Sequence, residues 1–141
     1  MTAVLARARP VLVMSSARAV RELFGHLLRQ EGYQTTVVSD GDEAFAAIAH
    51  LRPLVAVLDL RQGDDDDLLF LGLLRKRHPQ LGAIILLPQQ SMVVHGRHEH
   101  LIEHAHPTGL ALPSMDQLRG AIEWIATQTM LETWNPPEGL A

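Results

Sequence analysis

The chain contains no cysteine, which excludes disulfides, thiol nucleophiles and cysteine-ligated zinc. Lysine is almost absent as well: Lys76 is the only one. No basic stretch interrupts the sequence, and Lys+Arg 12 against Asp+Glu 16 leaves a formal charge of −4. Nothing in that balance points to nucleic acid. The longest apolar runs fall well short of the roughly 20 residues a membrane-spanning helix needs. The N-terminus lacks the apolar core of a signal peptide. These shortages lead us to expect a soluble, cytoplasmic domain with neither membrane nor nucleic acid as partner.

What is present suits one globular unit. Hydrophobic residues make up 47% of the 141 and charged residues 20%, enough for a single substantial core. Eight histidines stand out; protonating all of them would carry the formal charge from −4 to +4, so the sequence allows a response to pH.

The apolar run Leu54-Val55-Ala56-Val57-Leu58 leads straight into Asp59. Such a run, with Pro53 before it, reads as a strand buried on both faces inside a parallel sheet. Val11 to Met14 and Ala83 to Leu87 have the same character, Tyr33 to Val38 is rich in β-branched residues, and Gly109 to Leu112 offers a short fifth strand. Between them, Val20, Leu23, Phe24, Leu27 and Leu28 recur at helical spacing, and Gly32 stops that helix. Asp40 with Glu43, and Ser114 with Gln117, have the form of capping boxes opening two more helices. Asp64 to Asp67 lead an apolar helix that runs to Arg77, where negative charge suits the helix dipole. Over residues 91–106, Val93, Val94, Leu101 and Ile102 suggest a helical stripe interrupted by Gly96. The last helix spans roughly 115–132. Alternating strands and helices predict an α/β fold: a doubly wound, five-stranded parallel sheet with helices on both faces. The expected organisation is an N-terminal lead-in over 1–9, the domain over 10–132, and a tail or linker start over 133–141.

Several local pieces, in this order and at this spacing, resemble the CheY-like receiver domain of bacterial two-component signalling. They are Val11-Leu12-Val13, Ala19-Val20-Arg21-Glu22-Leu23, Glu31-Gly32-Tyr33, Ser39-Asp40-Gly41-Asp42-Glu43-Ala44, Arg52-Pro53 before Val57-Leu58-Asp59-Leu60, and His78-Pro79. The resemblance covers about residues 10–131 and implies a flavodoxin-like fold with Asp59 at the phosphoacceptor position. The rest of that family's pocket is missing. Ser15 and Ser16 stand where the family has two acidic residues, Leu87 where it has Thr or Ser, and Leu112 where it has Lys before Pro.

Phosphoryl transfer to a carboxylate is mostly positioning and charge neutralisation, usually through Mg²⁺ held by carboxylates. Losing the acidic pair, the hydroxyl and the lysine together argues for a degenerate receiver: not an enzyme, needing no cofactor, and acting by docking or homodimerisation on a signalling protein or attached output domain. The alternative is a working phosphoacceptor at Asp59 with an unusual Mg²⁺ site, for which Asp64 to Asp67 would have to fold back as ligands. The plainer reading of those four is a solvated loop capping a helix. Ser15-Ser16 before a helix could cradle an anion; a serine N-cap is the commoner explanation.

A third reading uses the histidines His95, His98, His100, His104 and His106. On a helix, His100 and His104 would share a face and could hold Zn²⁺ or Ni²⁺, or the segment is simply polar and solvated. Trp124, Gln128 and Leu131 form a separate flank of the last helix and a candidate interface, unless Trp124 packs on a neighbouring loop. The apolar helix carrying Leu68, Leu69, Phe70, Leu71, Leu73 and Leu74 is a second candidate contact face.

Overall fold

The computed structural model describes residues 9–88, 91–96, 101–105 and 112–133. Among these residues, six strands and four helices follow in the order β1 (Val11–Met14), α1 (Arg18–Gln30), β2 (Thr35–Val38), α2 (Gly41–Leu51), β3 (Val55–Asp59), α3 (Asp65–Arg77), β4 (Gly82–Leu87), β5 (Ser91–His95), β6 (Leu101–Ala105) and α4 (Met115–Thr133). The strands form one sheet ordered β2-β1-β3-β4-β5-β6. The first four are mutually parallel, whereas β5 runs antiparallel to β4 and to β6.

The continuous apolar runs have a direct physical reading. Alternate side chains of a strand point to opposite faces, and here both faces are covered. Val11, Val13, Val55, Val57, Ile84 and Leu86 join one buried cluster with Phe24 of α1 and Ile122 of α4. Their neighbours Leu12, Met14, Ala56, Leu58, Ala83 and Ile85 join a second cluster with Ile48 of α2 and Phe70 and Leu74 of α3. The doubly wound class therefore stands, with helices on both faces.

The final strands differ from expectation. Where a helical stripe was expected over 91–106, residues 91–95 and 101–105 form a pair of antiparallel strands, and β5 takes the place beside β4 where a fifth parallel strand was expected. Met92 and Val94 are buried while Ser91 and Val93 are half-buried, a period of two that a β-branched pair supports better than a helix. The strand expected over Gly109 to Leu112 falls mostly outside the described residues; Leu112 itself lies in a bend. No described helix is long and apolar enough to cross a membrane.

The Ser114 box forms as expected, and the Asp40 cap forms with Glu43 reaching one residue beyond the N-cap. Asp40 accepts the Glu43 N–H at 2.9 Å, and Glu43 reaches back to the Ser39 N–H and hydroxyl. Ser114 and Gln117 bond reciprocally at 3.1 and 2.9 Å. Replacing Asp40 with Ala orphans one first-turn donor of α2 and should lower the unfolding free energy by about 1 kcal/mol. Urea denaturation checks this; an unchanged midpoint would mean that the cap contributes nothing.

Candidate functional site

Met14 of β1 pairs with Leu58 of β3, so Ser15 and Asp59 leave adjacent parallel strands together. That edge, at the carboxyl ends of the strands, is where open α/β sheets build sites. Ser15 is fully buried, and its hydroxyl donates to Asp59 Oδ2 at 2.6 Å while accepting the Ala17 N–H at 3.1 Å. The expected serine cap on α1 is thereby corrected. Ala17 occupies the N-cap position with no side-chain cap, because the Ser15 hydroxyl turns across the strands to the carboxylate. Arg21 of α1 fixes the turn from behind, donating to the Ser15 carbonyl at 2.7 Å. Ser16 is exposed and lines the cavity above Asp59.

Asp59 has a second partner that the sequence reading missed. Arg61 folds back over it, with Nε 2.7 Å from Oδ1 and Nη2 2.9 Å from Oδ2. The Arg61 backbone N–H adds a longer contact to Oδ1 at 3.3 Å. This is a bidentate guanidinium–carboxylate pair, the strong and planar form of ion pair. The Asp59 side chain is only 8% exposed. Burial pushes its carboxyl up, but the bonds from Arg61 and Ser15 outweigh burial and hold it below the ordinary aspartate value. Arg61 is pushed up in turn, chiefly by its bond to Asp59. One signal in the sequence could have found this pair: Arg61 is the one basic residue between Asp59 and the acidic run.

The other pocket positions supply no replacement chemistry. Leu87 at the end of β4 is half-buried against the second cluster, and Leu112 packs against the first. Lys76 lies in the last turn of α3, about 16 Å along the helix from its start beside the site.

The acidic loop does fold back toward Asp59. Gly63, at φ +64°, makes the turn that a residue with a Cβ would resist. Asp40, Asp59, Asp64, Asp66 and Asp67 then line one cavity of about 240 Å³. Two of these carboxylates already serve the helix start: Asp64 accepts the Asp67 N–H at 2.8 Å, and Asp67 accepts the Gly63 N–H at 3.0 Å. Burial first, then the neighbouring Asp64 and Asp59 charges, pushes the Asp67 carboxyl up despite the Gly63 bond. Mg²⁺, which the family resemblance implies, requires hard oxygen donors in near-octahedral array. The residues present do not fit it: both Asp59 oxygens are bonded to Arg61 and Ser15. Among the described residues, no three His, Asp or Glu side chains gather as a metal site.

The remaining candidates are dispersed. His95 is buried on β5, its Nδ1 2.7 Å from Arg75 Nη1. His98, His100 and His106 lie outside the described residues, and the backbone of His104 is on strand β6 opposite Met92. The helix that would have joined His100 and His104 on one face is therefore not there. Trp124 is half-buried against the first cluster, and with Gln128 it closes over Gly96, where a Cβ would lie 3.0 Å from the indole and 2.0 Å from the Gln128 amide oxygen. That is packing on a neighbouring loop rather than a free flank. The Leu131 side chain is outside the described residues.

No family model matches the sequence. In sequence, the chain is similar to the probable transcriptional regulatory protein TcrX of Mycobacterium tuberculosis, 34% identical over 82 residues, covering 58% of this chain and 35% of that protein. It is similar also to the DNA-binding response regulator MtrA of Mycobacterium leprae, 38% identical over 50 residues, covering 36% of this chain and 22% of that protein. The chain thus spans about a third or less of the length of these curated relatives. In structure, it is similar to a CheY-like response regulator receiver domain protein from Methanospirillum hungatei, with a TM-score of 0.50 and 20% identity over 56% of this chain and 63% of that one. A chain from the complex of the histidine kinase ThkA with the response regulator protein TrrA aligns at a TM-score of 0.60 and 17% identity, covering 83% of this chain and 97% of that one.

Proposed function

From its kinship with response regulators and its CheY-like receiver fold, we propose that this chain is a degenerate receiver, a protein-interaction module of two-component signalling that works without Mg²⁺-assisted phosphorylation of Asp59. The observation that carries the reading is the Arg61 fork on Asp59. A phosphoacceptor needs one carboxylate oxygen free to attack phosphorus and a cation to join it to the incoming anion. Here the neutralising cation is a covalent part of the chain, and it occupies both oxygens. A carboxyl held below its ordinary value is also the weaker nucleophile. Freed from phosphoryl chemistry, the domain is left with its surfaces, and its partner class is a signalling protein or an attached output domain.

Incubation with acetyl phosphate and Mg²⁺, followed by phosphate-affinity electrophoresis, tests this. We expect no retarded band. A retarded band lost in Asp59→Asn would establish instead a working phosphoacceptor, with the acidic loop lining the same cavity as the source of its ligands.

A further inference from the structure

Helix α3 is apolar on two opposite faces, and the fold uses one. Phe70 and Leu74 are its buried residues. On the other side Leu68 and Leu69 are each 64% exposed, a pair of large apolar side chains side by side in water. At 100° per residue, Asp65, Leu68, Leu69, Gly72, Leu73 and Lys76 share one arc of about 140° centred away from the core. Asp65, Gly72 and Lys76 on that arc are exposed too, and Leu73 is half-exposed.

The ends of the same helix carry opposite charge: Asp65, Asp66 and Asp67 in the first turn, Arg75, Lys76 and Arg77 in the last. Asp65 and Lys76 are about 16 Å apart along the axis, too far to meet within one helix. They meet at once if a second copy of α3 lies antiparallel on the first. One register then matches every position of the arc. Asp65 faces Lys76, Leu68 faces Leu73, Leu69 faces Gly72, and the two-fold repeats each pair in reverse. Gly72 sits where the large Leu69 of the other copy would arrive, and a Cβ there would meet nothing within 4 Å, so the space is open for it.

We propose that this face is an isologous dimer interface, two copies of the chain joined by antiparallel α3 helices with the Leu69–Gly72 contacts at the centre. The occupant is a second copy because the pattern is self-complementary: acid to base, large to small, and base to acid along one face, as a two-fold axis requires. Antiparallel packing also sets opposite helix dipoles side by side. Specific interfaces bury about 1,200–2,000 Å² in total, and a single helix pair falls at or below that range, so the association depends on concentration and, through its charges, on salt. This surface deepens the interaction-module reading and rests on it only as that module's contact.

Sedimentation of the full chain over a range of concentrations, with Asp65→Lys, Lys76→Asp and Leu69→Asp beside the parent, is the test. The parent should associate to a dimer that weakens with salt. Each variant alone should raise the dissociation constant about tenfold or more. In either charge variant both cross-contacts become like-charged. In an equimolar mixture of the two, a mixed dimer has both contacts opposite in sign, so mixing should restore association toward the parent's. A parent that stays monomeric up to millimolar concentration overturns the proposal. So does a dimer indifferent to all three substitutions, or a mixture no stronger than its components, each shown folded by circular dichroism. Failure here with an unlabelled Asp59 would remove this surface alone; a labelled Asp59 would remove the degenerate reading alone.

Discussion

Replacing Arg61 with Ala is expected to lower the unfolding free energy by about 2–3 kcal/mol at pH 7. Removing one partner of a buried ion pair typically costs about 3–5 kcal/mol, because an uncompensated charge stays behind. The figure is reduced here for two reasons. Arg61 is 27% exposed, so solvent already screens it in part, and the Ser15 hydroxyl continues to bond Oδ2. The pH dependence has a definite sign. Asp59 is held below its ordinary value in the folded state, so its contribution is fully present above the unfolded carboxyl pKa, about 4. It is lost as pH falls through the lower folded value. The penalty of Arg61→Ala should therefore be largest at neutral pH and shrink below about pH 4, where a protonated Asp59 no longer needs a cation. The raised carboxyl of Asp67 acts in the opposite direction, stabilising as pH falls. Comparing Arg61→Ala with the parent at each pH cancels the part of that contribution set by burial and Asp64, while the part set by the Asp59 charge stays coupled to the pair. Adding Asp59→Asn to Arg61→Ala should recover part of the loss, since no buried charge is then left unpaired. Guanidinium denaturation of the four proteins closes the cycle; a penalty that does not change with pH would mean that the pair contributes nothing electrostatic.

The largest loss should come from Phe24→Ala, about 3–5 kcal/mol. Phe24 is 2% exposed and heads the fully buried side chains, set between α1 and the face of the sheet that α4 also covers. The cavity left behind has strand residues on one side and helix residues on the other, and neither can collapse far into it. Leu69→Ala removes three carbons where Phe24→Ala removes six, and at 64% exposure it should stay within about 0.5 kcal/mol in dilute solution. The two substitutions, on α1 and α3, separate a side chain that builds the core from one that the core leaves exposed. Thermal denaturation at low concentration reads both; a comparable loss at Leu69 would place that residue in the core.

Much of this fold is legible because burial on two faces leaves a plain mark. Val11 to Met14 and Val55 to Leu58 are uninterrupted apolar runs, and each became a strand between two covered faces. Asp40 with Glu43, and Ser114 with Gln117, carry their hydrogen-bonding partners three residues on, so both caps can be read locally. The β5 and β6 pair was not legible. Val93-Val94 and Leu101-Ile102 fit either a helical stripe or two strand edges, and Gly96 between them reads as a break in the stripe rather than as the start of a hairpin connection. Arg61 escaped for another reason. Its bond to Asp59 spans two residues across a strand exit, where neither helical nor strand periodicity applies, and only the fold-back of the loop brings the guanidinium round. What the resemblance suggested at the site was absence, with Ser15, Ser16, Leu87 and Leu112 at positions where it implies acidic, hydroxyl and amine groups. The structure adds the cation that makes the absence tolerable for a buried Asp59.

The most direct test is nuclear magnetic resonance of the folded chain titrated with Mg²⁺ and beryllofluoride, a mimic of the phosphoryl group. With Arg61 and Ser15 holding both oxygens of Asp59, the amides of Ser15, Asp59 and Arg61 should show no saturable shift up to millimolar ligand. Saturable shifts at those amides that vanish in Asp59→Asn would contradict the account and make Asp59 a working switch.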